Sequence, residues 1–235
     1  MIGSKTISMM QIADLWVSTS PKAWEDALER YWNFVQERNQ ALEQSLHTLD
    51  LERLRRMDAN GWYKFLRDEY FRWKYTAPNR YATTTRQLRR YVDDDMLGDL
   101  DQIRKRLLTL DPDDIHSGLE TASRIRGLGP AGASGLLALM YPKNFGTVDQ
   151  FAVKALSQVQ GLPEAAALAR MNPEGLTIRD GVLIIDILRR KAADNNRVFK
   201  SDAWTPRKLD KVLWACGRLD RAPSPDSSIG RCRTG

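Results

Sequence analysis

Between residues 24 and 49 the apolar side chains fall at Trp24, Leu28, Tyr31, Trp32, Val35, Leu42, Leu46 and Leu49, the three-and-four spacing of an amphipathic helix. The same spacing recurs along most of the chain, while the period-two alternation of a half-buried strand is nearly absent. The closest approach to a strand, residues 182–187, fits a buried helix segment equally well. The expected fold class is therefore all-α. Ser20 followed by Pro21 marks the first long helix, because serine accepts from the free N–H groups of the first turn and proline suits the first helical position. That helix is expected to continue to Leu49. Residues 50–73 repeat the pattern and read as two helices separated at Asn60-Gly61. Shorter helices are expected at about 84–92, 94–110, 113–124, 131–141, 148–160, 163–171, 176–195 and 206–216, the last closed by Gly217.

A chain of 235 residues with 42% hydrophobic content can bury a core without disulfide or metal staples. The two cysteines, Cys216 and Cys232, exclude a disulfide framework and any all-cysteine zinc or iron–sulfur site within one chain. The longest apolar run, residues 135–141, is far below the roughly 18 residues of a membrane span. With a polar start at residues 1–5 that is no signal peptide, a cytoplasmic protein with no membrane partner is expected. Residues 221–235 lack apolar periodicity and read as a disordered tail, which leaves residues 1–220 as one folded unit. Of the formal charge of +6, the tail carries Arg221, Arg231 and Arg233 against Asp226, three minus one or +2, leaving +4 for the folded part. Basic clusters at Arg53/Arg55/Arg56, Arg86/Arg89/Arg90, Arg104/Lys105/Arg106 and Arg189/Arg190/Lys191 each suit a solvated helix face. Together they leave a polyanionic partner open.

The segment with most chemical content is Ile125-Arg126-Gly127-Leu128-Gly129-Pro130-Ala131-Gly132. Two glycines around one apolar residue let the backbone turn tightly between helices while Leu128 plugs the space between them. The helix that begins near Pro130 presents free N–H groups with no bulky side chains in the way, a setting that suits a phosphate. Eighteen residues beyond Ala131, Asp149 opens another helix in the run Phe145-Gly146-Thr147-Val148-Asp149. Alone, such an aspartate is ordinarily an N-cap.

Taken together, these pieces resemble the helix-hairpin-helix DNA glycosylases with a glycine- and proline-rich loop and an essential aspartate. Ile125, Gly127, Leu128, Gly129, the small-residue helix of residues 133–140, Phe145 and Val148-Asp149 occupy the family's pattern, within residues 113–160. The resemblance implies a two-lobed multi-helix fold around a central hairpin, acting as a monomer on double-stranded DNA. It makes Asp149 the catalytic carboxylate and places a DNA phosphate on Gly127, Leu128, Gly129 and Ala131, with Lys154 as a second phosphate contact. No cofactor is implied beyond a monovalent cation at the hairpin, since the cysteines of the iron–sulfur branches are missing. Bifunctional members carry a lysine where this chain has Ala131. The resemblance therefore implies hydrolysis alone, leaving an abasic site, unless a lysine elsewhere such as Lys143 or Lys74 reaches the sugar. A non-catalytic protein that keeps the hairpin as a phosphate grip is the alternative.

An enzyme that takes a base out of the stack needs a wedge and a pocket. Residues 70–81 mix aromatics with cations as nucleic-acid surfaces do. Trp62, Phe65, Leu66 and Trp73 share one helical stripe and belong to the core. Tyr75, Asn79, Arg80 and Tyr81, in a loop containing Pro78, are the expected wedge or pocket residues. His47 and His116 do not suggest a metal site.

Overall fold

The computed structural model describes residues 11–219, and the expected tail lies outside them. Among the described residues every regular element is helical. The order is α1 (Ile12–Val17), α2 (Pro21–Phe34), α3 (Glu37–His47), α4 (Leu51–Arg55), α5 (Ala59–Phe65), a π-helical turn (Leu66–Tyr70), α6 (Phe71–Lys74), α7 (Pro78–Asp93) and α8 (Leu97–Leu108). Then follow α9 (Ile115–Ser123), α10 (Pro130–Met140), α11 (Gln150–Leu156), α12 (Ala165–Leu168), α13 (Ile178–Phe199) and α14 (Pro206–Leu219). None is long and apolar enough to cross a membrane.

The core forms around α14, which packs against α2, α11 and α13, while α9 joins α10 to α13. Buried apolar side chains from Ile12 to Leu213 form one cluster, with Trp24, Trp62, Tyr70, Phe65, Phe71 and Phe145 its largest members. The long helix expected from residue 21 is broken at Val35-Gln36, where the backbone turns extended. The reason is geometric. On an unbroken helix Glu43 would stand ~18 Å along the axis from Tyr31 and about 120° around it. The break folds α3 back so that the two side chains meet by hydrogen bond beneath α14.

Other expected boundaries also move. The interruption in residues 50–73 falls at Met57-Asp58 rather than Asn60-Gly61, because Asp58 caps α5 by accepting from Gly61 N–H at 2.6 Å. Gly217 lies inside α14 instead of ending it. A Cβ there would come within 2.5 Å of the Phe151 carbonyl oxygen, so the glycine permits α11 to lie backbone-close against α14. Pro78 is the first residue of α7, which puts Asn79, Arg80 and Tyr81 in a helical first turn and not in a loop.

Candidate functional site

The turn between α9 and α10 takes the shape its glycines allow. Gly127 has φ +93°, and a Cβ on it would stand 2.6 Å from the Thr84 carbonyl oxygen and 3.1 Å from the Phe71 ring. Positive φ and close approach both require glycine at this position. Leu128 is buried, as a plug between the helices should be, and Gly129 caps α10 from an exposed, open position. The small residues that follow have a specific use. A Cβ on Gly132 would lie 2.6 Å from the Tyr75 hydroxyl, and one on Gly135 would lie 2.8 Å from the Tyr70 hydroxyl and 3.3 Å from Lys74 Cδ. The segment from Tyr70 to Tyr75 thus lies directly on this face of α10. It is fastened there by hydrogen bonds from the Tyr70 hydroxyl to the Gly132 carbonyl and from the Tyr75 hydroxyl to the Gly127 carbonyl, the latter 3.0 Å. Burial raises the Tyr75 phenol to about 12, against the opposing charge of Arg80, so it remains a donor near neutral pH.

Asp149 is the N-cap of α11. Its Oδ1 accepts from both Phe151 N–H at 2.9 Å and Ala152 N–H at 3.1 Å, which fixes the carboxylate's orientation while Oδ2 takes no part in the cap. The strand of chain leading to it is held from two sides. Ser134 on α10 accepts from Val148 N–H at 2.8 Å, and the Asp210 carboxylate on α14 accepts from Thr147 N–H. Val148 is fully buried, so Ser134→Ala leaves its N–H without that acceptor and is expected to cost about 1–3 kcal/mol in urea unfolding.

Behind Thr147 sits a buried ionic cluster. Arg207 reaches Asp210 at 2.8 Å, the Thr147 hydroxyl at 3.2 Å and Glu43 at 3.5 Å. Lys211 lies 3.1 Å from Glu43, and the Trp73 indole also donates to Glu43. Desolvation favours neutral Glu43, but Arg207, Lys211 and the indole overcome it and hold the carboxyl below its ordinary range.

Lys74 ends α6 beside this cluster, half-buried, with no hydrogen bond or ion pair to any described side chain. Desolvation pulls its ammonium pKa below that of an ordinary lysine. Asp149 and Asp210 work against that shift, and Arg207 and Arg80 reinforce it. The π turn just before α6 widens the helix by one residue per turn, a device often found at functional sites, and sets the direction in which residues 71–75 project.

Next to Tyr75 an open groove of about 580 Å³ is lined by Tyr75, Ala77, Asn79, Arg80, Thr83, Thr84, Gly127 and Gly129. The structure therefore brings Tyr75, Asn79 and Arg80 together with the hairpin glycines. Tyr81 does not line the groove; its hydroxyl donates to the Arg67 carbonyl at 3.4 Å and its ring packs on the core. Lys154 shares α11 with Asp149 and is half-exposed, and Ala131 stands in the first turn of α10; neither lines the groove. Thr83 and Thr84 were not singled out by sequence, nor was the packing of Lys74 on Gly135. The carbonyls of Arg124, Ile125 and Gly127 accept from the Tyr91 hydroxyl, Leu128 N–H and the Tyr75 hydroxyl, one hydrogen bond each. Among the described residues no group of three or more His, Cys, Asp or Glu is arranged to hold a metal. Comparison with protein-family models, curated proteins and solved structures gives no match to this chain.

Proposed function

We propose that the chain is a DNA N-glycosylase that extrudes a damaged, mismatched or modified base from double-stranded DNA and breaks its N-glycosidic bond with the help of Asp149. In this reading α9, its glycine turn and α10 form a helix-hairpin-helix phosphate grip at the centre of a two-lobed helical fold, and the protein works as a cytoplasmic monomer without a cofactor. One observation carries the reading. An oriented carboxylate with one oxygen outside its cap follows directly on Val148, which Ser134 of α10 holds, while Tyr75 packs on the same helix at Gly132 and also borders the groove.

Each part has a chemical task. Departure of the base gives the sugar oxocarbenium character, and a fixed carboxylate beneath it stabilises that charge or activates the attacking water. Gly129 leaves the N–H groups at the start of α10 open to a phosphate oxygen. Arg80, exposed and without an ion pair among the described residues, supplies a cation on the opposite wall. Tyr75 offers a π-face for stacking.

The test is a panel of duplex oligonucleotides, each carrying one abnormal base, incubated with the protein and then treated with hot alkali. Strand scission at the site of at least one abnormal base is expected. Duplex binding should weaken steeply with salt, because neutralised phosphates release counterions. The groove does not include Asp149 among its lining residues, which favours a second reading, a non-catalytic DNA-binding protein. Salt-sensitive binding with no scission anywhere in the panel would select it. Absence of binding would reject both.

A further inference from the structure

The chain's surplus of positive charge lies in one place. Residues 71–92 hold Arg72, Lys74, Arg80, Arg86, Arg89 and Arg90 and no acid, a local charge equal to the +6 of the whole chain. The remaining residues, with 36 less 6 cations against 30 acids, are neutral in sum. Four of the six cations stand on α7, and the helical period sorts them. At about 100° per residue, Asn79, Thr83, Arg86 and Arg90 fall within about 60° of one another, with Arg80 and Gln87 on the flank. All of these are exposed, whereas Leu88 and Tyr91, on the side turned to the core, are buried.

Ion pairing divides the cations further. Arg89 reaches Asp93 at 3.4 Å, and Arg126 takes Asp94 at 2.8 Å, so two acids at the end of α7 are already offset. Arg80, Arg86 and Arg90 have no ion pair among the described residues, and Asp95, in a left-handed turn at φ +54°, closes the row. Arg86 and Arg90, four residues apart on one face, repel each other, and an external anion relieves that repulsion. The row begins in the groove, which Asn79, Arg80 and Thr83 help to line, and leaves it along the axis of α7.

We propose that this face of α7 is a docking surface for the phosphate backbone of a nucleic-acid duplex, which Arg80 meets at the groove and Arg86 and Arg90 follow outward. The proposal rests on the reading of DNA as partner and not on base release, and its contacts extend beyond the groove. From Arg80 to Arg90 the helix rises ~15 Å, a length over which one strand of a duplex, at about 3.4 Å per phosphate along its axis, presents four or five charges. Arginine, asparagine, threonine and glutamine are side chains that meet phosphate oxygens. The face has no aromatic ring on which a single strand could stack its bases. Nor has it an apolar side chain larger than Ala82 with which to enter a lipid surface. Backbone contacts of this kind read no sequence, so the row supplies affinity and orientation, and choice of nucleotide stays with the groove.

The probe is an undamaged duplex oligonucleotide, bound to the full chain and to its Arg86→Gln/Arg90→Gln variant over a range of potassium chloride concentrations. Each neutralised phosphate contributes about 0.9 to the slope of log affinity against log salt, so the double variant should lower that slope by about 1.8. From equal binding at 1 M salt, the difference should grow to about sixtyfold weaker binding at 0.1 M. Arg170→Gln/Arg179→Gln removes the same charge from exposed positions after α12 and at the start of α13, and should leave the slope unchanged. On the unaltered chain, duplex should protect Arg86 and Arg90 from phenylglyoxal while Arg170 and Arg179 stay reactive, a readout that needs no variant. A slope unaltered by Arg86→Gln/Arg90→Gln, an equal loss in the Arg170/Arg179 pair, or absence of protection would overturn the proposal, and scission in the base panel would then leave the glycosylase reading in place. A lowered slope with no scission in the panel would support the proposal and remove the enzyme. Tighter binding to a single strand, or binding to anionic phospholipid vesicles with none to duplex, would overturn it.

Discussion

Arg207→Met is expected to destabilise the fold by about 3–5 kcal/mol, the cost of leaving buried charges without their partner. Arg207 itself is 4% exposed, and the acids it serves, Glu43 and Asp210, are each 3% exposed. Methionine keeps much of the volume, so the loss is electrostatic and not a cavity effect. Without the guanidinium, Asp210 loses its principal counter-charge, Glu43 keeps Lys211, the Trp73 indole and the Tyr31 hydroxyl, and the Thr147 hydroxyl loses its donor. At roughly 2–4 °C per kcal/mol for a domain of this size, the melting temperature should fall by on the order of 10 °C.

The pH dependence of that loss has a definite sign. Glu43 in the folded protein is held below its ordinary value of 4.5, so its contribution is fully present above that pH and is lost as the pH falls through the folded value. Asp210 has the opposite bias. Burial raises its carboxyl even with Arg207 alongside, so removing Arg207 raises it further and favours the neutral acid. The gap between the two proteins should therefore be widest near neutral pH and should narrow in acid, closing only as the pH falls through the lowered folded value of Glu43, below 4.5. Urea unfolding at neutral and acid pH measures this directly. A gap that stays constant with pH would mean that the cluster is held by packing alone.

The cluster also shows why sequence reading reaches only part of this molecule. Helical periodicity, the Ser20-Pro21 start and the glycine turn are local signals, and each is found where the spacing places it. Leu128 as a plug follows from the same local pattern. Glu43, Arg207, Asp210 and Lys211, by contrast, look like ordinary helix-surface residues because their partners lie far along the chain, Arg207 being 164 positions from Glu43 and Lys211 further still. Nothing in the apolar pattern marks the break at Val35-Gln36, since the spacing continues across it; the break exists because Glu43 must meet Tyr31 and Arg207. Gly217 misleads for a related reason. A glycine near a helix end reads as a stop, but here it answers to the backbone of α11, a contact between distant segments.

At the candidate site the division is similar. The mixture of aromatics and cations in residues 70–81 is a local cue, and Tyr75, Asn79 and Arg80 do share a groove with Gly127 and Gly129. Tyr81 is only one residue from Arg80, yet about 100° further round α7 it faces the core. Reading those residues as a loop hid that distinction. Lys74 was visible as a lysine among aromatics, but its packing against α10 depends on the π turn and on Gly135, neither of which the periodicity records.

Asp149→Asn should separate the structural from the chemical use of that side chain. As an N-cap, asparagine is about equal to aspartate, because its side-chain oxygen can accept from the same Phe151 and Ala152 N–H groups. Stability should consequently change by only a few tenths of a kcal/mol, apart from the small loss of a negative charge at a helix N-terminus. Asp149→Ala removes the cap itself and should cost about 1 kcal/mol. The chemistry has no such tolerance. A neutral amide cannot offset the positive charge that develops on the sugar, and it cannot take a proton from water. Base release is expected to fall about a thousandfold, equivalent to about 4 kcal/mol in the barrier. Binding of the same duplex should stay within a few fold, since removing an anion from the neighbourhood of DNA does not weaken the phosphate contacts. Single-turnover release and a salt titration of binding, made on both variants beside their melting curves, give all three quantities. If Asp149→Asn retained full release, Asp149 would be a helix cap and nothing more, and the glycosylase reading would fall with it.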